Sequence, residues 1–468
     1  MNQQSAGADN RPGFWSGALF GMVTGIGSLL AYQYFSGILR NPRLISKSIF
    51  SGEETFDTEE ALAVFIATEN LKSGVLPRRL TKTMSKDILH AGYRNFRESW
   101  ARDFSFAAYG LLALEQYQIV EDTLDAFLWF QRLDGQFPVK LYSMDVITRF
   151  FHSFFEREQP TENMLRPKYL SAHGAPSLDG QALLVIAALE YVQKTDDMIF
   201  LKKHWEQLVI AIQWLERFLK DFPDPLLVQG AFADWADSVA RRGHVLYTNV
   251  IYWKALCDMS LAASRLNLTT ESLLYETQAK DVAHAIQQRF WQPELGYFVT
   301  SDRLDQLSSD GNLLAIAWEL TLPGQAESIL QVMKDAKMAE PVPTRAAYPS
   351  YPAELIALEN YLGGLSNYHT TAAWLWLGAW HVIALVKTGH LEEAHRLIAR
   401  ISEVIIQDQQ VNEVHGPNGK PLASMLYHFE SPLMWNAGMV LYAYHVFETH
   451  AAKTGFLSMF KERIGNKP

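Results

Sequence analysis

Three groups of acidic residues, each beside aromatic or basic side chains, have the composition of a site that could do chemistry. In the first group, Trp100 precedes the pair Arg102 and Asp103. A guanidinium and a carboxylate at one point can hold neighbouring hydroxyl groups by charge-assisted hydrogen bonds. The alternative interpretation is that Asp103 caps the apolar helix that begins around Phe106.

The second group consists of Asp234 and Asp237, which flank Trp235 shortly before a helix resumes near Asn249. One of these acids could cap that helix while the other faces a cleft. A general acid must stay protonated near neutral pH, which burial and a neighbouring carboxylate can achieve. This pattern makes Asp237 a candidate proton donor.

The third group is centred on Glu413, which lies between an apolar helix and a turn rich in Gly, Pro and Asn. Acids in loops are usually only solvated. Glu413 is singled out because a series of polar and aromatic residues follows it and could form the wall of a cleft: Tyr427, His428, Glu430, Trp435 and Asn436.

Two further candidates are Asp179 and the segment that contains Tyr368 and His369. Asp179 follows Pro176 and Ser177, and it could be a helix N-cap. His369 is not predicted to bind a metal, because no second histidine stands at ligand spacing with it. No organic cofactor is predicted either.

The elements that must position these residues are amphipathic helices. One apolar stripe recurs at steps of three and four residues from Leu201 to Leu219, before Pro223. No Pro/Gly-rich linker divides residues 55–460. Polar and aromatic clusters interrupt the helices near six positions, with about two helices between successive clusters. This spacing predicts six helical hairpins in a ring, whereas a helical solenoid should show a recurring repeat sequence.

The amino-terminal segment lacks charge from Pro12 to Leu39, a run longer than the roughly 20 residues that span a bilayer. We therefore expect an uncleaved anchor at residues 12–39, after a tail at residues 1–11 and before a connector at residues 40–54. Glycines at every fourth position, Gly17, Gly21 and Gly25, could allow self-association. Arg40, Arg43 and Lys47 after the run predict that the remainder, residues 55–468, faces the cytoplasm.

The charge balance argues against a nucleic-acid partner. The formal net charge is -10 and the isoelectric point is about 5.8, without clustered Lys and Arg for phosphate binding. The single cysteine, Cys257, lies in an apolar helical stretch and is interpreted as a core residue. One cysteine permits no intrachain disulfide, which agrees with a reducing compartment.

In order, these motifs resemble those of the (α/α)6-barrel glycosidases over about residues 95–445. The families are the glucosidase domain of glycogen debranching enzymes (amylo-α-1,6-glucosidase), the processing α-glucosidases and trehalases, the alkaline/neutral invertases and, more distantly, glucoamylase. The segment from Trp100 to Phe104 is similar to their sugar-binding element, and the segment from Asp234 to Asp237 is similar to the element that carries their general acid. Tyr368 and His369 resemble part of an invertase motif, although Thr370 and Thr371 replace the Asn-Gly that follows there.

The resemblance implies an all-α (α/α)6 barrel that hydrolyses an α-glucosidic or related bond of an oligosaccharide with inversion. Asp237 would be the proton donor and Glu413 the base, with Asp179 as the alternative acid that the invertase pattern favours. Trp100, Arg102, Asp103, Asp234, Trp235, Tyr368 and His369 would bind the sugar. An inverting pair stands roughly 6.5 to 9.5 Å apart. A catalytically inactive carbohydrate-binding protein or a membrane-tethered scaffold is the alternative function.

Overall fold

The computed structural model describes residue 28 and residues 31–43, 55–220, 223–425 and 427–454. By contacts it divides into two compact units, one formed by residues 1–47 and 145–159, and the other by residues 48–144 and 160–468. The larger unit is predominantly helical and contains every candidate site residue.

Six helices of the larger unit form a closed inner ring, in which each helix packs against the next and the last packs against the first. In chain order they are α2 (Ala101–Ala113), α5 (Leu178–Thr195), α7 (Leu246–Arg265), α9 (Ser309–Ala317), α12 (Leu375–Lys387) and α14 (Met434–Thr454). Most of them are apolar around the whole circumference. In α12, for example, every residue from Leu375 to Val386 is buried, as expected for a helix enclosed by neighbours on all sides.

An outer layer of helices covers the ring. It comprises α1 (Glu59–Ser73), α3 (Tyr117–Trp129), α6 (Met198–Glu216), α8 (Thr269–Phe290), α10 (Gln325–Asp335) and α13 (Leu391–Asp408). These helices bury one face: in α6 the predicted stripe from Leu201 to Leu215 is buried, although the helix ends at Glu216, before Leu219. The first outer helix, α1, packs against the last inner helix, α14. The predicted ring of helical hairpins is therefore confirmed, and the two ends of the domain close it.

Ring closure depends on two glycines where α2 crosses α14. A Cβ atom on Gly110 would lie 2.2 Å from the carbonyl oxygen of Gly438, and a Cβ on Gly438 would lie 2.6 Å from the Cα of Ala107. Neither position has room for a side chain, because the two backbones are already in contact. This close approach packs the C-terminal half of α2 against the first turns of α14.

Short antiparallel strands lie between the helices, and several lead directly into an inner helix. They are β1 (Val75–Arg79), β2 (Ser85–Leu89), β3 (Ser99–Trp100), β4 (Lys140–Tyr142), β5 (Arg166–Lys168), β6 (Val228–Gln229), β7 (Gly243–His244), β8 (Trp291–Gln292), β9 (Tyr297–Ser301), β10 (Leu304–Ser308) and β11 (Ala347–Tyr348). They pair as β1-β2, β3-β4-β5, β6-β7 and β11-β10-β9-β8. β3 runs into α2 and β10 into α9, so the pairing of these strands fixes where each helix begins. Two short helical elements complete the unit, a 3-10 turn at Ala353–Leu355 and α11 at Leu358–Leu362.

The smaller unit contains α4 (Val146–Phe154) and a helix at residues 31–39. Phe35 packs edge-on against Phe151, with ring centroids 5.0 Å apart, and the Tyr34 hydroxyl donates to Thr148 Oγ1 at 2.8 Å. None of the helices in the described part combines the length and apolar character that a bilayer crossing requires. The anchor expected at residues 12–39 is thus not supported, and most of it, with Gly17, Gly21 and Gly25, lies outside the described residues.

Candidate active site

All six inner helices begin at the same end of the ring, and the candidate residues gather there. Asp103, Asp179 and Asp310 each lie in the first turn of an inner helix. Backbone N–H groups without intrahelical partners and the helix dipole favour negative charge at this end. The ring therefore concentrates carboxylates around one central opening.

A pocket opens at this end of the ring. Eight of the ten predicted residues line it: Trp100, Arg102, Asp103, Trp235, Asp237, Tyr368, His369 and Glu413. Trp435, expected from the sequence in the polar and aromatic wall that follows Glu413, also lines the pocket, whereas Phe96, Trp374 and Leu433 were not predicted. Asp179 and Asp234 lie outside the lining. The walls are thus mostly aromatic, with Asp103, Asp237 and Glu413 as the carboxyl groups that face the cavity.

Asp237 lies in the loop between β6 and β7, and 41% of its side chain remains exposed. His369 Nδ1 is 4.0 Å from Asp237 Oδ1, and the same ring nitrogen lies 2.8 Å from Ser238 Oγ. Protein atoms crowd the carboxyl while one side stays open to the cavity. This partial desolvation raises its pKa to about 6, against the opposing attraction of Arg102. Asp237 therefore changes protonation near neutral pH.

Glu413 is fully buried, and both of its carboxylate oxygens accept hydrogen bonds. Tyr368 donates to Oε1. Tyr427 donates to Oε2 at 2.6 Å, and the backbone N–H of Glu430 donates to the same oxygen, also at 2.6 Å. The Asn436 amide donates to the Glu413 carbonyl at 2.8 Å and so fixes the backbone. Burial raises the pKa of Glu413 to about 7, although the two tyrosine hydroxyls oppose the shift.

The pKa values of Asp237 and Glu413 are too similar to show which group is the acid and which is the base, but the hydrogen-bond partners of the two carboxyls differ. Glu413 accepts three hydrogen bonds, which suits an ionised carboxylate. Oε1 accepts only from Tyr368 among the described contacts, and a carboxylate oxygen can accept a second hydrogen bond. Asp237 is more exposed, and the nearest described polar partner is His369 at 4.0 Å. This asymmetry favours Asp237 as the proton donor.

Asp179 positions Arg102 instead of facing the pocket. Its Oδ2 accepts from Arg102 Nη1 at 2.6 Å, and its Oδ1 accepts from Ser177 Oγ at 2.5 Å and from the Gly180 N–H at 2.7 Å. Ser177, not Asp179, is the N-cap of α5. Similarly, Asp103 is not the cap of α2, which begins after Trp100 without a side-chain cap. Burial raises the pKa of Asp103 to about 7.

A buried ion-pair network supports Trp235, which lines the pocket. Its indole N–H donates to Asp310. Arg241 bridges two carboxylates, with Nη1 2.7 Å from Asp310 Oδ2 and Nη2 2.7 Å from Asp234 Oδ1. Asp234, which was expected to bind sugar, therefore supports the tryptophan through Arg241, because its carboxylate is turned toward the protein interior and the guanidinium neutralises it there.

Glu430 was noted in the sequence only as part of a polar wall, and the structure gives it a definite role. Its two carboxylate oxygens accept four backbone N–H bonds, at 2.5 to 3.1 Å, from the consecutive residues Tyr93, Arg94, Asn95 and Phe96. Phe96 lines the pocket. The backbone N–H of Glu430 also donates to the Glu413 carboxylate, so Glu430 joins the segment that carries Phe96 to Glu413. Nothing local in the sequence signals this contact, because the partners are more than 330 residues apart.

Within the described ranges, no group of three or more His, Cys, Asp or Glu side chains is arranged to hold a metal ion. The polar groups at the pocket are instead carboxyls, one guanidinium, one imidazole and a phenol. This set can exchange protons and hold hydroxyl groups.

Comparison with known proteins agrees with this geometry. The profile of the bacterial α-L-rhamnosidase six-hairpin glycosidase domain matches residues 133–341. The fold is similar to that of a rhamnosidase from Klebsiella oxytoca with rhamnose bound, with a TM-score of 0.59 and 16% identity over 83% of this chain. The chain spans 64% of the length of that protein. No curated protein sequence matches the chain.

A second structural neighbour is the GH63 mannosylglycerate hydrolase from Thermus thermophilus in complex with glucose. Its TM-score is 0.59 at 14% identity, and the alignment covers 81% of this chain and 99% of that one. At such identities the likeness establishes the fold. The chain therefore has the six-hairpin glycosidase fold that the sequence resemblance implied, and residues 133–341 match a glycosidase domain profile.

Proposed function

We propose that this protein hydrolyses a glycosidic bond at the end of a substrate, with Asp237 as the general acid and Glu413 as the general base. The observation that supports this proposal is the meeting of these two carboxyl groups, from distant parts of the chain, in one pocket that Arg102, Asp103 and aromatic rings also line. Two carboxyl groups on either side of the scissile bond are the usual machinery of glycoside hydrolysis.

In the proposed reaction, the Asp237 carboxyl donates its proton to the leaving oxygen while the bond from that oxygen to the anomeric carbon breaks. A water molecule attacks the anomeric carbon from the opposite face, and Glu413 accepts its proton. The product sugar then has the inverted configuration. Arg102 and Asp103 hold the sugar hydroxyls, and Trp235 supports the ring face, so that binding energy orients the reacting atoms.

The substrate class is part of the proposal. The sequence motifs resemble those of α-glucosidases, whereas the neighbours are named for rhamnose and mannosylglycerate. We therefore propose an α-glycoside of glucose, rhamnose or mannose as the substrate. The purified chain would be screened against the p-nitrophenyl α-glycosides of these three sugars and against trehalose, sucrose and maltodextrins. Proton NMR of the first anomer released would test inversion.

Two substitutions separate the roles of the carboxyls. Glu413→Gln should lower kcat/KM by about 10²- to 10⁴-fold for every substrate, because the base is needed whatever the leaving group is. Asp237→Asn should lower it by a similar factor for a methyl glycoside but much less for a p-nitrophenyl glycoside, because p-nitrophenolate leaves without a proton. Asp281→Asn, an exposed acid in α8, is the matched control and should keep full activity.

Circular dichroism would verify that the variants fold. Equal losses for both leaving groups in Asp237→Asn would contradict the role of Asp237 as the acid. Unchanged turnover in Glu413→Gln would contradict the two-carboxylate mechanism. If no glycoside in the screen is hydrolysed but calorimetry detects sugar binding in the pocket, the protein is the inactive carbohydrate-binding relative.

A further inference from the structure

The short helix α11 (Leu358–Leu362) lies between two attachments to the wall of the pocket. On one side, the Ala357 N–H donates to the carbonyl oxygen of Ser238 at 2.8 Å, and the Ala240 N–H donates to that of Leu355 at 2.7 Å. Ser238 directly follows Asp237. On the other side, the chain continues after α11 to Tyr368 and His369, which line the pocket. α11 is therefore fixed beside the proposed proton donor.

One face of α11 presents apolar side chains to solvent. Leu358, Tyr361 and Leu362 are 68%, 58% and 73% exposed, and their spacing of three and four residues places them on the same face of a helix. The acidic residue Glu359 is directed elsewhere: its carboxylate lies 3.4 Å from His173 Nε2. The His173 ring in turn stacks on Phe232 at 4.3 Å between centroids.

A second segment brings another apolar side chain to the same area. A Cβ atom placed on Gly364, just after α11, would lie 3.5 Å from Ser424 Cβ. Met425 follows and is 91% exposed. Two residues further on, Tyr427 donates to Glu413. We call Leu358, Tyr361, Leu362 and Met425 the apolar rim, because each belongs to a segment that continues into a residue contacting the pocket or its base.

We propose that the apolar rim binds the leaving group of the substrate, and that this group is an alkyl or aryl aglycone. The proposal rests on the proposed function, since the group that receives a proton from Asp237 must lie on the side of the pocket where Asp237 and α11 meet. A second sugar ring in that place would need several hydrogen-bond partners, whereas the rim offers a single hydroxyl, on Tyr361. An apolar chain would instead remove these four side chains from water.

The test compares methyl and octyl α-glycosides of the same sugar, for glucose, rhamnose and mannose, with the octyl compounds kept below the concentration at which micelles form. We expect KM to be at least tenfold lower for the octyl glycoside. This factor corresponds to about 1.4 kcal/mol, which the burial of about two methylene groups supplies. Leu362→Ser should raise KM for the octyl glycoside several-fold and leave the methyl glycoside unchanged.

Leu274→Ser is the matched control, because Leu274 is a comparably exposed leucine in the first turns of α8, next to the end of α7 that is opposite the pocket. It should alter neither KM. Titration calorimetry of the Glu413→Gln variant with the same glycosides measures binding affinity without turnover. A failure of the hydrolytic proposal is therefore distinguishable from a failure of the rim proposal. Equal KM and equal affinity for methyl and octyl compounds would overturn the rim proposal.

The rim could also be a contact between two copies of the chain. Light scattering coupled to gel filtration would detect this alternative. A dimer that Leu362→Ser dissociates, together with no preference for the octyl glycoside, would assign the rim to self-association and refute its assignment to the leaving group.

Discussion

Substitution of Glu430 by glutamine tests the most specific contact found around the pocket. In the protein, each carboxylate oxygen of Glu430 accepts two backbone N–H bonds, and the residue is fully buried. Glutamine has almost the same shape, but one of its oxygens is replaced by an NH₂ group that cannot accept. Two backbone N–H groups would then face another donor in a buried environment.

The expected loss of stability follows from this count. A hydrogen bond to a charged group contributes about 1.5 to 3 kcal/mol, so the loss of two costs roughly 3 to 6 kcal/mol. Removal of a buried charge offsets part of that cost. We expect Glu430→Gln to lower the free energy of unfolding by about 2 to 4 kcal/mol, and to lower kcat/KM as well, because the segment that carries Phe96 loses its attachment.

The assay is urea denaturation followed by circular dichroism at pH 8. This pH is chosen because burial raises the pKa of Glu430 and the carboxylate must be ionised. Glu448→Gln, an exposed position on α14, is the control and should change stability little. A loss below about 0.5 kcal/mol in Glu430→Gln, within the range of ordinary surface substitutions, would refute the reasoning from the four donors.

Two predictions concern the ionisation of Glu413. In Tyr427→Phe, the carboxylate loses a donor that favours its charged form, so the pKa of Glu413 should rise further and the acidic limb of the pH profile of kcat/KM should move upward by about one pH unit. Tyr442→Phe, in the middle of α14 and not among the residues that line the pocket, should leave the limb in place, and an unmoved limb in Tyr427→Phe would contradict the role of Glu413 as the base. The raised pKa of Glu413 also links its protonation to folding. In the folded protein the Glu413 carboxyl keeps its proton up to about pH 7, whereas in the unfolded chain it releases the proton near pH 4.5. The free energy of unfolding should therefore fall as pH rises between those two values, by about 3 kcal/mol in all. Urea denaturation from pH 4 to pH 8 should show a smaller decline for Glu413→Gln than for the unchanged protein, and identical slopes would exclude the linkage.

The ring of helices could be predicted from the sequence because its signal is local. Apolar periodicity of three and four residues identifies helices such as α6, and the polar clusters between them identify the ends that gather at one opening. The same clusters identified eight residues of the pocket lining. Trp374 was not assigned to the site, because a tryptophan at the start of an apolar helix is equally consistent with a core residue until the tertiary structure shows which face is open.

The roles of the individual acids could not be predicted, because they depend on which arginine each carboxylate contacts in the folded chain. Asp179 lies in the first turn of a helix and Asp234 and Asp237 lie in a loop that precedes one, and all three stand beside aromatic or small residues. Only the placement of Arg102 against Asp179, and of Arg241 against Asp234, distinguishes the two neutralised acids from the one that faces the cavity. A sequence pattern can state that a carboxylate is present, but it does not show whether a guanidinium, from another helix as for Asp179 or from the same loop as for Asp234, removes the carboxylate from the chemistry.

Closure of the ring and assembly of the pocket are one structural event. The pocket residues Arg102 and Asp103 lie in the first turn of the first inner helix, whereas Glu413 and Trp435 come from the C-terminal part of the ring, so neither part forms the pocket alone. The contact between Gly110 and Gly438 and the hydrogen bonds of Glu430 to residues 93–96 join these two ends. The contact between the two glycines has no room for a side chain. The contact of Glu430 with residues 93–96 requires two acceptor oxygens. We infer that the position of Glu413 relative to the bound sugar is set by the fit of the last inner helix against the first. Substitutions where the last inner helix packs against the first should therefore alter activity, although the substituted residues do not contact the substrate.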